Sequence, residues 1–251
     1  IDDLQTTTVG TTTLKVTGDE YLTITDSIDS EITTVDATSF TAALTIKTAN
    51  TTGMTVTGGS GNDVLTSVTG ADTIDGGAGN DSITSGSGND TVKGGAGNDT
   101  LIFAGGNTDG GDFDKNDVVD GGAGTDTLEF TKDATLVDAD FAGLTNTEVI
   151  TNATDKHLDI TLATKAAASG LNRITLVDSG EANSVSLGKA FTNDLTVDLS
   201  VDTSFGDSVV ANADYANSLT VNADMTDMDT GHTTAANINT ITGGKGTDTL
   251  N

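Results

Sequence analysis

Two consecutive nine-residue segments, GGAGNDSIT at 76–84 and SGSGNDTVK at 85–93, decide the fold of this chain. Five such nonads follow one another from 58 to 102, a degenerate stretch fills 103–111, and further copies occupy 112–120, 121–129 and 243–251. The shared pattern is G-G-x-G-x-D-x-U-x, in which U is a bulky apolar residue. Its glycines permit a tight turn over six positions, and the last three positions can form one short strand. A period of nine therefore predicts a parallel β-helix.

The spacing of the aspartates predicts two columns of carboxylates. Two nonads make one coil, so that loops eighteen residues apart stack on the same edge. The expected first column is Asp63, Asp81, Asp99 and Asp117, and the expected second column is Asp72, Asp90 and Asp126, with Thr108 where an aspartate should stand. Stacked carboxylates repel one another unless a cation lies between them. Ca²⁺ takes six to eight oxygen ligands and suits this position, and without it we expect the repeats to be close to disordered.

Composition excludes several classes of partner and function. The net charge is −28, with 33 Asp and 5 Glu against 10 Lys and Arg, and such a field repels nucleic acid and anionic lipid. There is no cysteine, which excludes disulfides and thiolate metal sites, and no apolar run is long enough to span a membrane. Neither G-x-S-x-G nor H-E-x-x-H occurs, and we expect no enzyme activity from this chain.

The flanks of the repeats contain short alternating β-branched segments, such as TLKV at 13–16 and LTVDLS at 195–200. The expected fold class is all-β, a parallel β-solenoid with an embedded calcium-binding β-roll, favoured over a sandwich. A helical turn is expected at 162–169, where LATKAAAS is the best helix former. The expected organisation is solenoid strands over 1–57, the roll over 58–129, a second solenoid segment over 130–242, and the start of a second roll at 243–251.

The nonads at 58–129 resemble the RTX (repeats-in-toxin) calcium roll of secreted bacterial proteins. The resemblance implies that each ion is held by carbonyls of positions 2 and 4 and the aspartate of one loop, and by carbonyls of positions 1 and 3 and the aspartate of the stacked loop. It assigns carbonyl ligands to Gly59, Gly61, Gly70, Gly76, Gly77, Ala78, Gly79, Ser85, Gly86, Ser87, Gly88, Gly94, Gly95, Ala96 and Gly97, with Asp248 as the first aspartate of the second roll.

The segment DFDKNDVVDGGA at 112–123 imitates an EF-hand loop, with Asp112, Asp114 and Asn116 at the first ligand positions. It lacks the glycine required at position 6 and the glutamate required at position 12. We therefore favour a continuing roll in which Asp112 and Asp114 are additional carboxylate ligands.

A weaker resemblance concerns DTLEF at 126–130 and DADFAGLTNTEVI at 138–150, which are similar to surface-layer proteins of Gram-negative bacteria. It implies a structural subunit of a calcium-dependent lattice at the extracellular cell surface. It also implies export by type I secretion, self-association into an array, and attachment to outer-membrane lipopolysaccharide through another part of the chain. The alternatives are an RTX adhesin or biofilm-matrix protein, and the calcium-folding module of a secreted enzyme or toxin.

Overall fold

The computed structural model describes residues 4–6, 13–24, 28, 31–48, 50–106, 112–177, 182–201, 207–223 and 240–251. In chain order the strands up to the end of the repeats are β1 (Leu4–Thr6), β2 (Thr13–Gly18), β3 (Leu22–Thr23), β4 (Thr34–Phe40), β5 (Leu44–Lys47), β6 (Thr55–Thr57), β7 (Val64–Thr66), β8 (Thr73–Ala78), β9 (Ser82–Thr84), β10 (Thr91–Ala96), β11 (Thr100–Phe103), β12 (Val118–Ala123) and β13 (Thr127–Phe130). They are followed by β14 (Ala134–Leu136), β15 (Leu144–Thr145), β16 (Val149–Asn152), β17 (Leu158–Leu162), β18 (Arg173–Val177), β19 (Ser184–Leu187), β20 (Leu195–Val201), β21 (Ser208–Ala211), β22 (Leu219–Ala223), β23 (Thr240–Thr242) and β24 (Thr249–Leu250). A 3-10 helix spans Asp138–Gly143, and α1 spans Thr164–Ala168.

The chain forms two compact units. The first comprises Ile1–Phe103, Asp112–Leu128 and Gly143–Thr147, and the second comprises Ala104–Gly111, Glu129–Ala142 and Glu148–Asn251. The boundary expected from the sequence between 57 and 58 lies inside the first unit. The four-part organisation stays a prediction.

The first unit contains two sheets whose strands alternate along the chain. One has the order β1-β2-β4-β6-β8-β10-β12-β15, and within this unit the other has the order β3-β5-β7-β9-β11. Apart from the antiparallel β1–β2 pair, the neighbours pair in parallel. Thr55, Thr73 and Thr91 are register partners at intervals of eighteen residues, which is one coil made of two nonads.

The period-two pattern of the strands places one aliphatic side chain of each short strand inside. Val56, Ile74 and Val92 stack in register in the first sheet, and Leu65 and Ile83 stack in the second. All five side chains are buried. Since each coil buries so few aliphatic side chains, the loops at the two edges must contribute much of what holds the coils together.

The second unit repeats this alternation with longer coils. Its sheets have the orders β16-β18-β20-β22-β24 and β14-β17-β19-β21-β23, with parallel neighbours. Ile150 and Ile174 are register partners twenty-four residues apart, and both are buried. The expectation of an all-β parallel solenoid is confirmed, and the helical turn expected at 162–169 is present as α1.

Candidate metal centre

The first edge of the repeat region is built by a ladder of buried aspartates. The carboxylate oxygen Oδ1 of each aspartate accepts a hydrogen bond from a main-chain amide of the preceding coil. Leu44 N donates to Asp63 at 2.8 Å, Asp63 N donates to Asp81 at 2.7 Å, Asp81 N donates to Asp99 at 2.8 Å, and Asp99 N donates to Asp126 at 2.8 Å. Each aspartate thereby joins two coils.

The second edge has its own ladder. Met54 N donates to Asp72 Oδ1 at 2.6 Å, Asp72 N donates to Asp90 Oδ1 at 2.8 Å, and Asp90 N donates to Asp117 Oδ1 at 2.8 Å. All seven ladder aspartates of the two edges are at most 2% exposed. Burial of a carboxylate at this depth requires compensation by hydrogen bonds or by a cation.

The expected assignment of the last two aspartates to columns is wrong. Asp117 stacks on Asp90, and Asp126 stacks on Asp99, each after a step of 27 residues instead of eighteen. The strands agree, since Thr91 is the register partner of Val118.

The physical reason lies in the degenerate nonad FAGGNTDGG at 103–111, which interrupts the repeat pattern of the sequence. It lacks an aspartate at its sixth position, whereas Asp117 can accept the amide hydrogen of Asp90. The rings of Phe103, which begins this nonad, and Phe113, which lies two residues after it, are both buried and meet edge to face with centroids 5.2 Å apart. The gap expected at Thr108 lies outside the described residues.

The first edge holds carboxylate oxygens without a hydrogen-bond partner. Asp81 Oδ2 and Asp99 Oδ2 are buried and accept no hydrogen bond. Each lies against the first glycine of its own loop, since a Cβ added to Gly76 or Gly94 would stand 2.3 Å from that oxygen. The space that a side chain would fill is thus occupied by a bare carboxylate oxygen in a glycine-lined cage.

The buried aspartates of both ladders have raised pKa values. Burial, and then the charges of Asp63 and Asp99, raise the pKa of Asp81 to about 7. Burial likewise raises the pKa of Asp90 to about 7 and that of Asp117 to about 6. Burial also raises the pKa values of Asp63, Asp72 and Asp99. A bound cation would favour the ionised forms and reverse this effect.

Main-chain carbonyls complete the donor set on the first edge. A Cβ on Gly77 would lie 2.3 Å from the carbonyl oxygen of Gly59, and one on Gly79 would lie 2.2 Å from that of Gly61. Gly77 and Gly79 have φ values of 102° and 118°, in the region that favours glycine. Carbonyl and carboxylate oxygens are the ligands that Ca²⁺ prefers, so that the residues of this edge fit the ion.

Serine hydroxyls distinguish the second edge from the first. Ser67 Oγ donates to Asp72 Oδ2 at 2.6 Å and lies 3.1 Å from Thr48 Oγ1. Ser85 lowers the pKa of the Asp90 carboxyl and so opposes burial, but Asp90 Oδ2 is buried without a hydrogen-bond partner, like Asp81 Oδ2 and Asp99 Oδ2 on the first edge. Where the first edge has glycine at position 1 of the loop, the second edge has serine, and the hydroxyl of Ser67 satisfies the carboxylate of Asp72. The sequence interpretation missed this role of Ser67.

The remaining predicted ligands are distributed around these ladders. Asp114 N donates to Asp117 Oδ2 at 2.7 Å, and Asp114 Oδ1 accepts from Asn116 N at 2.7 Å. Asp112 is half-buried in the same segment. The carbonyl ligands implied by the resemblance lie in the stacked loops, in Gly70, Ala78, Ser85, Gly86, Ser87, Gly88, Gly95, Ala96 and Gly97 beside those already described. Their ligand roles stay predictions.

The first loop of the expected second roll reproduces the arrangement of the first edge. A Cβ on Gly243 would lie 2.1 Å from Asp248 Oδ2, and Asp248 Oδ1 accepts from Leu219 N at 3.4 Å. Asp248 itself is exposed. Elsewhere in the second unit Leu158 N donates to Asn183 Oδ1 at 2.8 Å, which places a neutral amide at a ladder position.

An asparagine ladder runs beside the first aspartate ladder and was missed by the sequence interpretation. Asn80 N donates to Asn62 Oδ1 and Asn98 N donates to Asn80 Oδ1, both at 2.8 Å, and Thr125 N donates to Asn98 Oδ1 at 2.9 Å. The signal was the asparagine at position 5 of three nonads eighteen residues apart. These side chains are exposed and stiffen the loops from outside.

The described residues contain no group of three or more His, Cys, Asp or Glu side chains that could hold a metal, so that a calcium site here would need main-chain carbonyls among its ligands. In the same part of the chain, no helix has the length and apolar character needed to cross a membrane.

Comparison with known proteins agrees with the geometry of the loops. The chain carries RTX calcium-binding nonapeptide repeats, since the family model for four copies of this repeat matches residues 57–92, 66–101, 76–108, 114–131 and 235–251. RTX nonapeptide repeats bind calcium ions. No curated protein and no solved structure matches the chain. The class defined by fold and site is a calcium-binding β-solenoid, and proteins with such repeats are typically secreted and extracellular.

Proposed function

We propose that this chain is a structural, non-catalytic part of a calcium-dependent lattice on an extracellular cell surface. The observation that carries the proposal is the first aspartate ladder, in which buried carboxylate oxygens of Asp81 and Asp99 lack a partner inside a stack of coils. Such a stack is incomplete without a cation and becomes stiff with one. A surface layer requires this behaviour, because its subunits must assemble only outside the cell.

A calcium-dependent fold is also suited to export by type I secretion. The repeats need a cation to offset the repulsion of their own carboxylates, so that low cytosolic calcium favours the unfolded chain. High external calcium then drives folding after type I secretion. In this proposal the chain associates with copies of itself, and another part of the protein attaches the array to outer-membrane lipopolysaccharide.

The test is electron microscopy of the full-length secreted protein in millimolar calcium, beside a sample treated with a chelator. A two-dimensional lattice that dissolves on chelation supports the proposal. Discrete particles that fold with calcium but do not assemble would overturn it, and would favour an adhesin or the calcium-folding module of a secreted enzyme.

A further inference from the structure

The outer face of the eight-stranded sheet carries a column of residues that alternates in charge along the first unit. Its members are register partners on consecutive strands and point away from the core, since their strand neighbours are buried. In order along the sheet they are Lys15, Asp36, Thr57, Asp75, Lys93, Asp120 and Thr145. The charges of this column therefore read plus, minus, neutral, minus, plus, minus, neutral.

The two lysines of this charge column are informative because cations are rare in this chain, which has 10 Lys and Arg against 38 acids. Lys15 and Lys93 are exposed, and no ion pair joins either of them to another described residue. Hydrogen bonds from Thr38, and the charge of Lys15, lower the pKa of Asp36, which therefore stays ionised. In a molecule with so negative a field, two copies can approach most easily where lysines lie.

We propose that this face binds the same face of a second copy of the chain, with the two solenoids antiparallel. The two-fold axis lies parallel to the strands and passes between β6 and β8. Lys15 then faces Asp120 of the second copy, and Asp36 faces Lys93 of the second copy. Thr57 faces Asp75 of the second copy. Symmetry doubles each pairing, which gives four ion pairs and no facing like charges.

Other registers of the same two faces are less favourable. A parallel arrangement in register puts every charge opposite its own copy. An antiparallel arrangement shifted by one strand puts Lys15 opposite Lys93 of the second copy, and a shift the other way opposes Asp36 and Asp120. Like charges directly opposed disfavour an interface. The charge column favours the proposed register because it has four opposite-charge pairs, whereas a shift by two strands leaves only two.

The neighbouring column on this face is neutral and made of short side chains. Thr13, Thr34, Thr55, Thr73, Thr91 and Val118 are consecutive register partners. In the proposed register, Thr55 faces Thr73 of the second copy, and the 52% exposed Val118 faces Thr13. The contact spans five strand spacings, about 24 Å, and is only a few residues wide, which is typical of a weak interface.

The pairing deepens the self-association proposed above and rests on it, since a weak contact of this size is effective when copies are held close together. It is tested with the 251-residue chain in calcium, which has no cysteine of its own. Lys15→Cys and Asp120→Cys variants are prepared separately and mixed at high protein concentration. A short bismaleimide that spans the roughly 10 Å between facing sheets is then added.

The mixture should form cross-linked dimers, whereas each variant alone should not, because identical positions lie about 24 Å apart in the proposed register. A matched control replaces Lys15→Cys by Lys47→Cys, which is exposed on the other sheet and should not link to Asp120→Cys. Equal yields in the mixture and in this control would overturn the pairing.

Exchanging the charges of two facing residues distinguishes ion pairs between copies from ion pairs within one chain. Adding Lys93→Asp to both cysteine variants opposes two aspartates across the interface and should lower the yield at least about tenfold. Adding Asp36→Lys as well restores opposite charges between copies but creates like-charged neighbours within each chain. Recovery of the yield supports the pairing, and a further loss overturns it, with circular dichroism in calcium confirming that each variant is folded.

Failure of this pairing can be told apart from failure of the proposed function. Absence of the cross-link together with an intact calcium-dependent lattice overturns the pairing alone. A specific cross-link in a protein that forms no lattice supports the pairing and overturns the surface-layer proposal.

Discussion

Replacing Asp81 by asparagine should have opposite effects on stability with and without calcium. The carboxyl has a pKa of about 7 in the calcium-free fold against the ordinary 3.8, because it is buried among other carboxylates. At pH 8 this shift of about 3 units corresponds to about 4 kcal/mol of destabilisation by the ionised group. Asparagine removes that charge and keeps an oxygen that can accept the amide hydrogen of Asp63.

The stabilisation that results from removing the charge is reduced by the new amide group of asparagine, since a buried donor without a partner costs about 1 to 3 kcal/mol. We expect Asp81→Asn to stabilise the calcium-free fold by about 2 kcal/mol at pH 8. A raised folded-state pKa destabilises the fold at high pH, and the effect fades as the pH falls from about 7 towards 3.8. The advantage of the variant should therefore nearly vanish at pH 5.

In calcium the same substitution removes a carboxylate that we predict to be an anionic calcium ligand between two stacked loops. The variant should then be less stable than the unmodified chain by at least about 2 kcal/mol. Both stabilities are measured by circular dichroism. In calcium the chain is unfolded with urea. In chelator the folded fraction is measured at the trimethylamine N-oxide concentration at which the unmodified chain is half folded.

Asp133→Asn is the matched control, because Asp133 is exposed and its oxygen accepts a hydrogen bond from His157 N, which asparagine can keep. This control should change stability little in either condition. A loss of stability in Asp81→Asn that is equal with and without calcium would refute the reasoning, since the carboxylate would then act only as a hydrogen-bond acceptor.

Three other outcomes follow from the loops. Calcium affinity should fall as the pH is lowered from 8 to 6, because protons compete for carboxyls with a pKa of about 6 to 7; a calorimetric titration giving equal affinities would contradict this. Ser67→Ala should destabilise the calcium-free fold by about 1 to 3 kcal/mol, because the buried Asp72 Oδ2 loses its hydrogen-bond donor. A titration of the folded fraction with trimethylamine N-oxide in chelator measures this loss. Gly97→Ala should cost about 3 kcal/mol or more in urea unfolding, because φ is 138° and the Cβ would lie 1.9 Å from the carbonyl oxygen of Gly79. Gly105→Ala should cost clearly less, because Gly105 has no positive φ and its Cβ would lie 3.2 Å from the carbonyl oxygen of Asp133.

The sequence predicted the solenoid and most of the first ladder because the glycines and aspartates recur in phase. Between 58 and 102 each nonad forms half a coil, and the links from Asp63 through Asp81 to Asp99 follow the count of eighteen. Counting failed at 103–111, since a degenerate nonad contains no residue that fixes its place in a coil. Whether Asp117 stacks on Asp90 or on Asp99 depends on how the chain packs in three dimensions.

The hydroxyls of the second edge could not be predicted from the pattern of the repeats. Ser67 and Ser85 stand at position 1, where the consensus has glycine, and a departure from consensus does not reveal what the new side chain contacts. The structure assigns Ser67 a hydrogen bond to the carboxylate of its own loop. The asparagine ladder, in contrast, had a visible signal at position 5 of the nonads, and its physical meaning required the stacked loops.

The most direct test of a calcium-completed aspartate ladder is hydrogen exchange of the chain measured by mass spectrometry with calcium and with chelator. We predict that amides in peptides covering 76–99 become strongly protected on adding calcium, since Asp63, Asp81 and Asp99 accept hydrogen bonds that tie these coils together. Equal protection of these peptides in calcium and in chelator would contradict the account.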